Sequence, residues 1–194
     1  MDRPAALAIV FVLAALAAGC ASSPTHLYTL SATVTPSAAS SKLSVAVGPV
    51  SVPAAVDRPQ IVVSTSANQV TVDDFNRWAS PLQDNLARVV AENLVALLGT
   101  PRVTLFPQTL SADVDYRVQI EIRNFESAPG KSASLDAVWT VRRAKDGKTE
   151  TGRTSAREKV DAEGYEALAA AHSRGVAQLS QDIAGVVRTL SGAP

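Results

Sequence analysis

Cysteine occurs once in this chain, at Cys20, and histidine twice, at His26 and His172. One thiol cannot close a disulfide within the chain, so the fold must be held by packing. Two histidines so far apart, with no second cysteine, give nothing with the spacing of a zinc site. Charge of either sign is also missing in excess: 18 Lys and Arg stand against 18 Asp and Glu. A balanced chain has no electrostatic footprint for nucleic acid, and no nucleic-acid partner is expected. Two nucleotide and hydrolase signatures are absent as well. Gly147-Lys148-Thr149 resembles the tail of a phosphate-binding loop, but Arg142 stands where that loop needs its first glycine. No serine sits in a Gly-x-Ser-x-Gly elbow. No catalytic residue, metal ligand or cofactor site is expected.

What is present begins at the N-terminus. Arg3 precedes Ala5 to Ala18, an uninterrupted apolar run of fourteen residues. That is the layout of an export signal, and it falls short of the roughly 20 residues of a permanent membrane helix. Ala17-Ala18-Gly19-Cys20 resembles the lipobox of a bacterial lipoprotein signal, in which the cysteine becomes the first residue and is acylated, although Leu16 stands four residues before Cys20 and not three. An ordinary cleaved secretory signal and a retained helix are the other two readings. The expected organisation is a signal over 1–19, a lipidated N-terminus and tether over 20–26, and one domain over 27–190. Six residues separate Cys20 from Leu27, a reach of about 25 Å at most. The domain should therefore sit close to the membrane.

Leu27 to Leu30 reads as a short extended piece, and Ser31 to Ser41 as loose Ser, Ala, Thr and Pro-rich chain. Leu43 to Val47 alternates as a half-buried strand and is interrupted by Gly48-Pro49. Ile61 to Ser64 and Gln69 to Val72 predict a hairpin. Asp73-Asp74 is expected to open a short helical turn ahead of Phe75 and Trp78, which would close the core as a staple. Leu82, Leu86, Val89, Val90, Leu94, Leu97 and Leu98 then recur at three and four residues, predicting a helix that Ser80 and Gln83 cap as a box, with Pro81 first and Gly99 at its end. Arg102 to Phe106 is a short strand. Along Asp115 to Phe125, Tyr116, Val118, Ile120 and Ile122 take one face and charged residues the other. Ser134–Arg143 and Thr149–Lys159 flank an Asp146-Gly147 turn, with Leu135, Ala137, Trp139 and Val141 inward. A last helix runs from Tyr165 to Leu190, with Asp161 as N-cap and with Gly175 and Gly185 expected at close packing. These readings sum to a single α+β domain, a mixed and mostly antiparallel sheet of six or seven strands with two main helices packed on one face.

With catalysis unsupported, the residues that remain are at element boundaries. Arg58, Pro59 and Gln60 start a strand after a loop, either as a solvated turn or as a partner contact. His172 lies on the apolar stripe of the last helix and reads as a packed histidine. A lipid carrier with a cavity lined by Trp139, Leu168 and Val176 is the alternative function, although those three are more simply core.

Several segments in order, "VGPVSVPAAVDRPQIVV", "FNRWASPLQDNLARVVAENL", "DYRVQIEIRNFE", "LDAVWTV" and "YEALAAAHSRGVAQLSQDIA", resemble the ABC-type transport auxiliary lipoprotein family of the PqiC (YmbA-like) type. The likeness runs from about Leu27 to Ile183. Ala55-Val56 departs from the aromatic and Leu that the family commonly shows, and Ser31 to Ser41 is longer than usual. The resemblance implies a non-enzymatic lipoprotein anchored by Cys20 in the outer membrane and facing the periplasm. It implies a partner with MCE domains that spans the envelope, together with that protein's inner-membrane partner, in lipid transport between membranes and in envelope integrity. Docking of the partner's tip by a homo-oligomeric ring of several copies is implied by the same analogy. Ala21 and Ser22 after the cysteine, with no Asp there, fit outer-membrane sorting.

Overall fold

A strand with one apolar face has to cover it, and the longest such strand, β6 (Tyr116–Ala128), organises the domain. The computed structural model describes residues 24–38, 40–107 and 113–192; the segment expected to be a signal, 1–19, and Cys20 lie outside them. Strand β6 pairs antiparallel with β7 (Ser132–Arg143), which pairs antiparallel with β8 (Thr149–Lys159). On its other side β6 lies parallel to β2 (Val45–Ser51), and β2 parallel to the three-residue β5 (Val103–Leu105). The order of this five-stranded sheet is β5-β2-β6-β7-β8. A second sheet of three strands has the order β1-β4-β3, in which β3 (Gln60–Ser66) and β4 (Gln69–Trp78) form the expected hairpin and β1 (His26–Tyr28) runs parallel to β4. The fold is a single α+β domain, with eight strands among the described residues divided between two sheets.

Two irregularities let these strands keep their apolar faces inward. In β2 the register shifts between Val47 and Val50, at Gly48-Pro49, and both valines stay buried. Gly48 has a φ of +122° and lies against Phe106 of the segment after β5, so the bend needs glycine. In β6 a bulge between Ile122 and Asn124 resets the alternation. Tyr116, Val118, Ile120 and Ile122 face the core before it, and Phe125 and Ser127 after it.

The two helices cover that inner face side by side. Helix α1 (Leu82–Leu98) packs on β2 and β5, and α2 (Tyr165–Ser191) on β7 and β8. The predicted stripe of α1 is buried except for Leu97, which is half-buried, and Gly99 closes the helix in the left-handed conformation. Between the helices Asn93 Nδ2 donates to Ser180 Oγ at 3.1 Å, a buried polar contact that fixes their mutual register. The described residues of the Ser31–Ser41 stretch form no helix or strand, and the Ser37 and Ser41 N–H groups donate to the carbonyls of Ala96 and Gly99.

Several local expectations are corrected. Asp73-Asp74 opens no helical turn: β4 continues to Trp78, and its extra residues are taken up between the pairs Ile61–Asp73 and Gln60–Arg77. Asp73 still serves a turn, since its Oδ1 accepts from the N–H groups of Phe75 and Asn76 at 2.9 Å each. The Ser80–Gln83 box does not form, because Pro81 is the N-cap and Gln83 donates to Asp57 instead. Gly164 and not Asp161 caps α2; Asp161 is drawn to Arg174, 3.2 Å away. Phe75 is no staple, being half exposed, whereas Trp78 is buried.

Of the glycines, Gly152 carries the tightest constraint. It pairs with Trp139 across β7 and β8, and a Cβ there would fall 2.3 Å from the indole. The same indole donates from Nε1 to Thr154 Oγ1 at 3.0 Å, and Thr154 donates to Asp182 on α2 at 2.6 Å. Gly175 backs onto Ala156 and Leu135 as expected, although at distances that a Cβ would tolerate, and Gly185 faces open space. Gly152→Ala should lower the unfolding free energy by about 1–3 kcal/mol, since the ring cannot move without breaking that chain. Gly185→Ala should raise it by up to about 1 kcal/mol. Urea unfolding of the two variants beside the unmodified protein checks both signs.

Candidate functional site

The turn that delivers the chain from β2 to β3 is built by its own backbone. The N–H groups of Val56 and Asp57 donate to the Pro53 carbonyl, and Arg58 N–H donates to that of Val56. Beyond it, Trp78 N–H donates to the Pro59 carbonyl at 2.7 Å, and Ala79 N–H to the Tyr28 carbonyl at 2.8 Å. These bonds gather the end of β4, the start of β3 and the entry to α1. Between them lies a cleft of about 360 Å³ lined by Asp57, Arg58, Pro59, Trp78, Ala79, Ser80, Pro81 and Leu82.

Its walls are chemically uneven. Pro59, Trp78, Pro81 and Leu82 supply apolar surface, while Arg58 is exposed and puts a guanidinium at the rim. Asp57 is held by Gln83 Nε2 at 3.1 Å. The first turn of α1 has no side-chain cap, so its amide groups contribute partial positive charge at this end of the cleft. Such a surface suits an apolar side chain or an extended peptide segment carrying an acidic group. Its lining holds one hydroxyl, Ser80, and one carboxylate, Asp57, with no histidine, lysine or cysteine beside them.

Of the three residues expected here, Arg58 and Pro59 are together in the cleft, and Gln60 is not. Gln60 is the first residue of β3, half-buried and paired with Arg77. Asp57 and Pro81 were not anticipated from sequence, because only the pairing of β3 with β4 brings 57–59 beside 78–82. Cys20, the expected attachment residue, lies outside the described residues.

Behind the cleft Trp78 packs edge-on against Phe125 and His172, with ring centroids 6.1 and 6.4 Å away. His172 stacks on Phe125 at 3.9 Å and 9°, and its Nε2 is 2.8 Å from Ser127 Oγ. Nδ1 has no protein partner. Burial pushes the imidazole down to about 3, so it is neutral. Leu168, Val176 and Trp139, expected as walls of a carrier's cavity, are members of the core: the first two have no exposed surface and Trp139 is closed over Gly152.

A neighbouring junction ties α2 to the small sheet. Tyr165 Oη donates to Asp73 Oδ2 at 2.6 Å and its ring lies 5.8 Å from that of Tyr28. Burial would raise the Asp73 carboxyl, but the hydrogen bonds from Tyr165, Asn76 and the backbone outweigh it and hold the group below the usual carboxylate range.

Comparison with known proteins decides what this scaffold is. The family described as the ABC-type transport auxiliary lipoprotein component matches residues 28–184. The chain belongs to that family. Every described strand after β1, both helices up to residue 184 and the whole cleft fall inside the match. Two solved structures share the auxiliary lipoprotein's fold. One, of an uncharacterized protein, has a TM-score of 0.71 at 22% identity and covers 85% of this chain and 99% of its own. The other, a Xanthomonas campestris protein of the family DUF330, has a TM-score of 0.68 at 20% identity and covers 84% of this chain and 94% of its own. No curated protein matches the sequence. Among the described residues of this auxiliary lipoprotein, no helix is long and apolar enough to cross a membrane.

The buried histidine gives a pH test of the core. Its folded value lies below the 6.5 of an unperturbed imidazole, so between about pH 6.5 and 3 the unfolded chain binds the extra proton and stability is lost as pH falls. Relative to His172→Gln, the unmodified protein should lose about 1.4 kcal/mol of unfolding free energy per pH unit across that window. Denaturant melts from pH 7 to 4 measure the difference in slope.

Proposed function

We propose that this lipoprotein is the accessory subunit of an MCE-type system for moving lipid between membranes, anchored in the outer membrane through acylated Cys20 and facing the periplasm. Its part is to dock the envelope-spanning MCE protein, and with it the inner-membrane partner, in the PqiC manner and as a ring of several copies. It performs no chemistry on a substrate and uses no cofactor. The observation that carries the reading is the family match, which begins eight residues after a cysteine set in a lipobox-like signal. The cleft at Arg58 and Pro59 is the docking surface in this reading, because it pairs a rim cation with a rigid apolar floor at a place the backbone holds fixed.

Two measurements test it. Mass spectrometry of the mature protein should find a diacylglyceryl group on Cys20 as the N-terminal residue, and an unmodified terminus elsewhere would remove the anchor. Mild extraction and co-purification should recover an MCE protein, and Arg58→Glu should weaken that recovery by roughly tenfold, the size of about 1.4 kcal/mol at one interface charge. Arg58 is exposed, so the variant's thermal unfolding should be unchanged. Equal recovery with Arg58→Glu would move the docking surface elsewhere.

A further inference from the structure

Two large apolar side chains left in water, Leu27 at 64% and Phe75 at 49% exposure, come from different strands of the small sheet. The parallel register of β1 on β4 pairs His26 with Asn76, Leu27 with Arg77 and Tyr28 with Trp78. Tyr28, Asn76 and Trp78 occupy the inner face: Tyr28 Oη donates to Asn76 Oδ1 at 2.8 Å, and Trp78 is buried. Leu27 stands beside Arg77 in register, and Phe75 lies two residues before Arg77, in the irregular stretch of β4 between Asp73 and Arg77, so the two exposed side chains are neighbours at this corner of the small sheet. Phe75 is held on a firm base, since Asp73 accepts from its N–H and is itself anchored by Tyr165 on α2.

A single exposed leucine or phenylalanine is ordinary. Here the two together make an exposed apolar surface at the point where the chain departs toward Cys20, six residues and at most about 25 Å away. We propose that this face rests on the phospholipid bilayer, with Leu27 and Phe75 entering the interface and Arg77 directed at headgroup phosphates. The proposal rests on the reading that Cys20 carries acyl chains. The length of the tether selects the occupant: a lipid on Cys20 keeps this face within reach of the bilayer and leaves little room for a protein layer between them. Arg77 Nε donates to the Asp74 carbonyl, and the Asp74 side chain is exposed beside it. The patch thus carries both signs of charge, and the contact comes from apolar area, so salt should not release it.

The full lipidated protein is reconstituted into vesicles of phosphatidylethanolamine and phosphatidylglycerol with Phe75→Trp as the probe, the background of buried Trp78 and Trp139 being subtracted. Bromine on the lipid acyl chains should quench the new indole and its emission should move to shorter wavelength, in low and high salt alike. A Phe106→Trp control, exposed in the turn that follows β5, should stay unquenched. Vesicle flotation of the same samples reads the anchor separately. Flotation without quenching at position 75 overturns the bilayer contact and leaves the anchor standing, and a shift that instead follows protein concentration assigns the face to a second copy. Equal quenching at 75 and 106 overturns it as general adsorption. Loss of flotation overturns both readings.

Discussion

Trp78 is the joint on which the rest of the structure depends. Its backbone N–H takes the carbonyl of Pro59 and its neighbour's N–H that of Tyr28, so the loop before β3, the strand β1 and the entry of α1 are tied to one residue. Its ring meets Phe125 from the large sheet and His172 from α2 edge-on. Packed at that density, neither sheet can shift without moving the other. The cleft beside Arg58 inherits its shape from the same contacts.

How far the sequence revealed this depended on the range of the interactions involved. The stripe of α1, the inward set of β7 and the Asp146-Gly147 turn were legible because each is a period or a pair of adjacent residues; the structure keeps both faces and the turn, although of the pair only Gly147 takes a positive φ. The caps were misread where a competing partner lay far off in sequence: Gln83 found Asp57, and Asp161 found Arg174. The split into two sheets was not legible, because a hairpin such as β3–β4 carries no record of which strand it will join. In the cleft, Arg58 and Pro59 could be named as boundary residues, but their neighbours Trp78 and Pro81 arrive only through tertiary pairing.

The core illustrates how a chain without disulfides can still specify one arrangement. Its buried polar contacts are few and directional: Asn93 to Ser180 between helices, Trp139 to Thr154 and on to Asp182 between sheet and helix, Ser127 beside His172. Each spans two elements that apolar packing alone would leave free to slide. Gly152 belongs with them, since the absence of a side chain is what lets the Trp139 ring lie where its N–H reaches Thr154.

The short strand β1 has a mechanical consequence. It is joined to β4 in parallel over His26, Leu27 and Tyr28 and locked behind by the Ala79–Tyr28 bond. A pull on residue 24 along the strand axis loads these links together, in shear, and passes the tension through β4 into the bulge that Asp73 and Tyr165 brace. The chain therefore meets force from its N-terminal side with a clamp whose bonds share the strain, where a hairpin at that place would unzip one bond at a time.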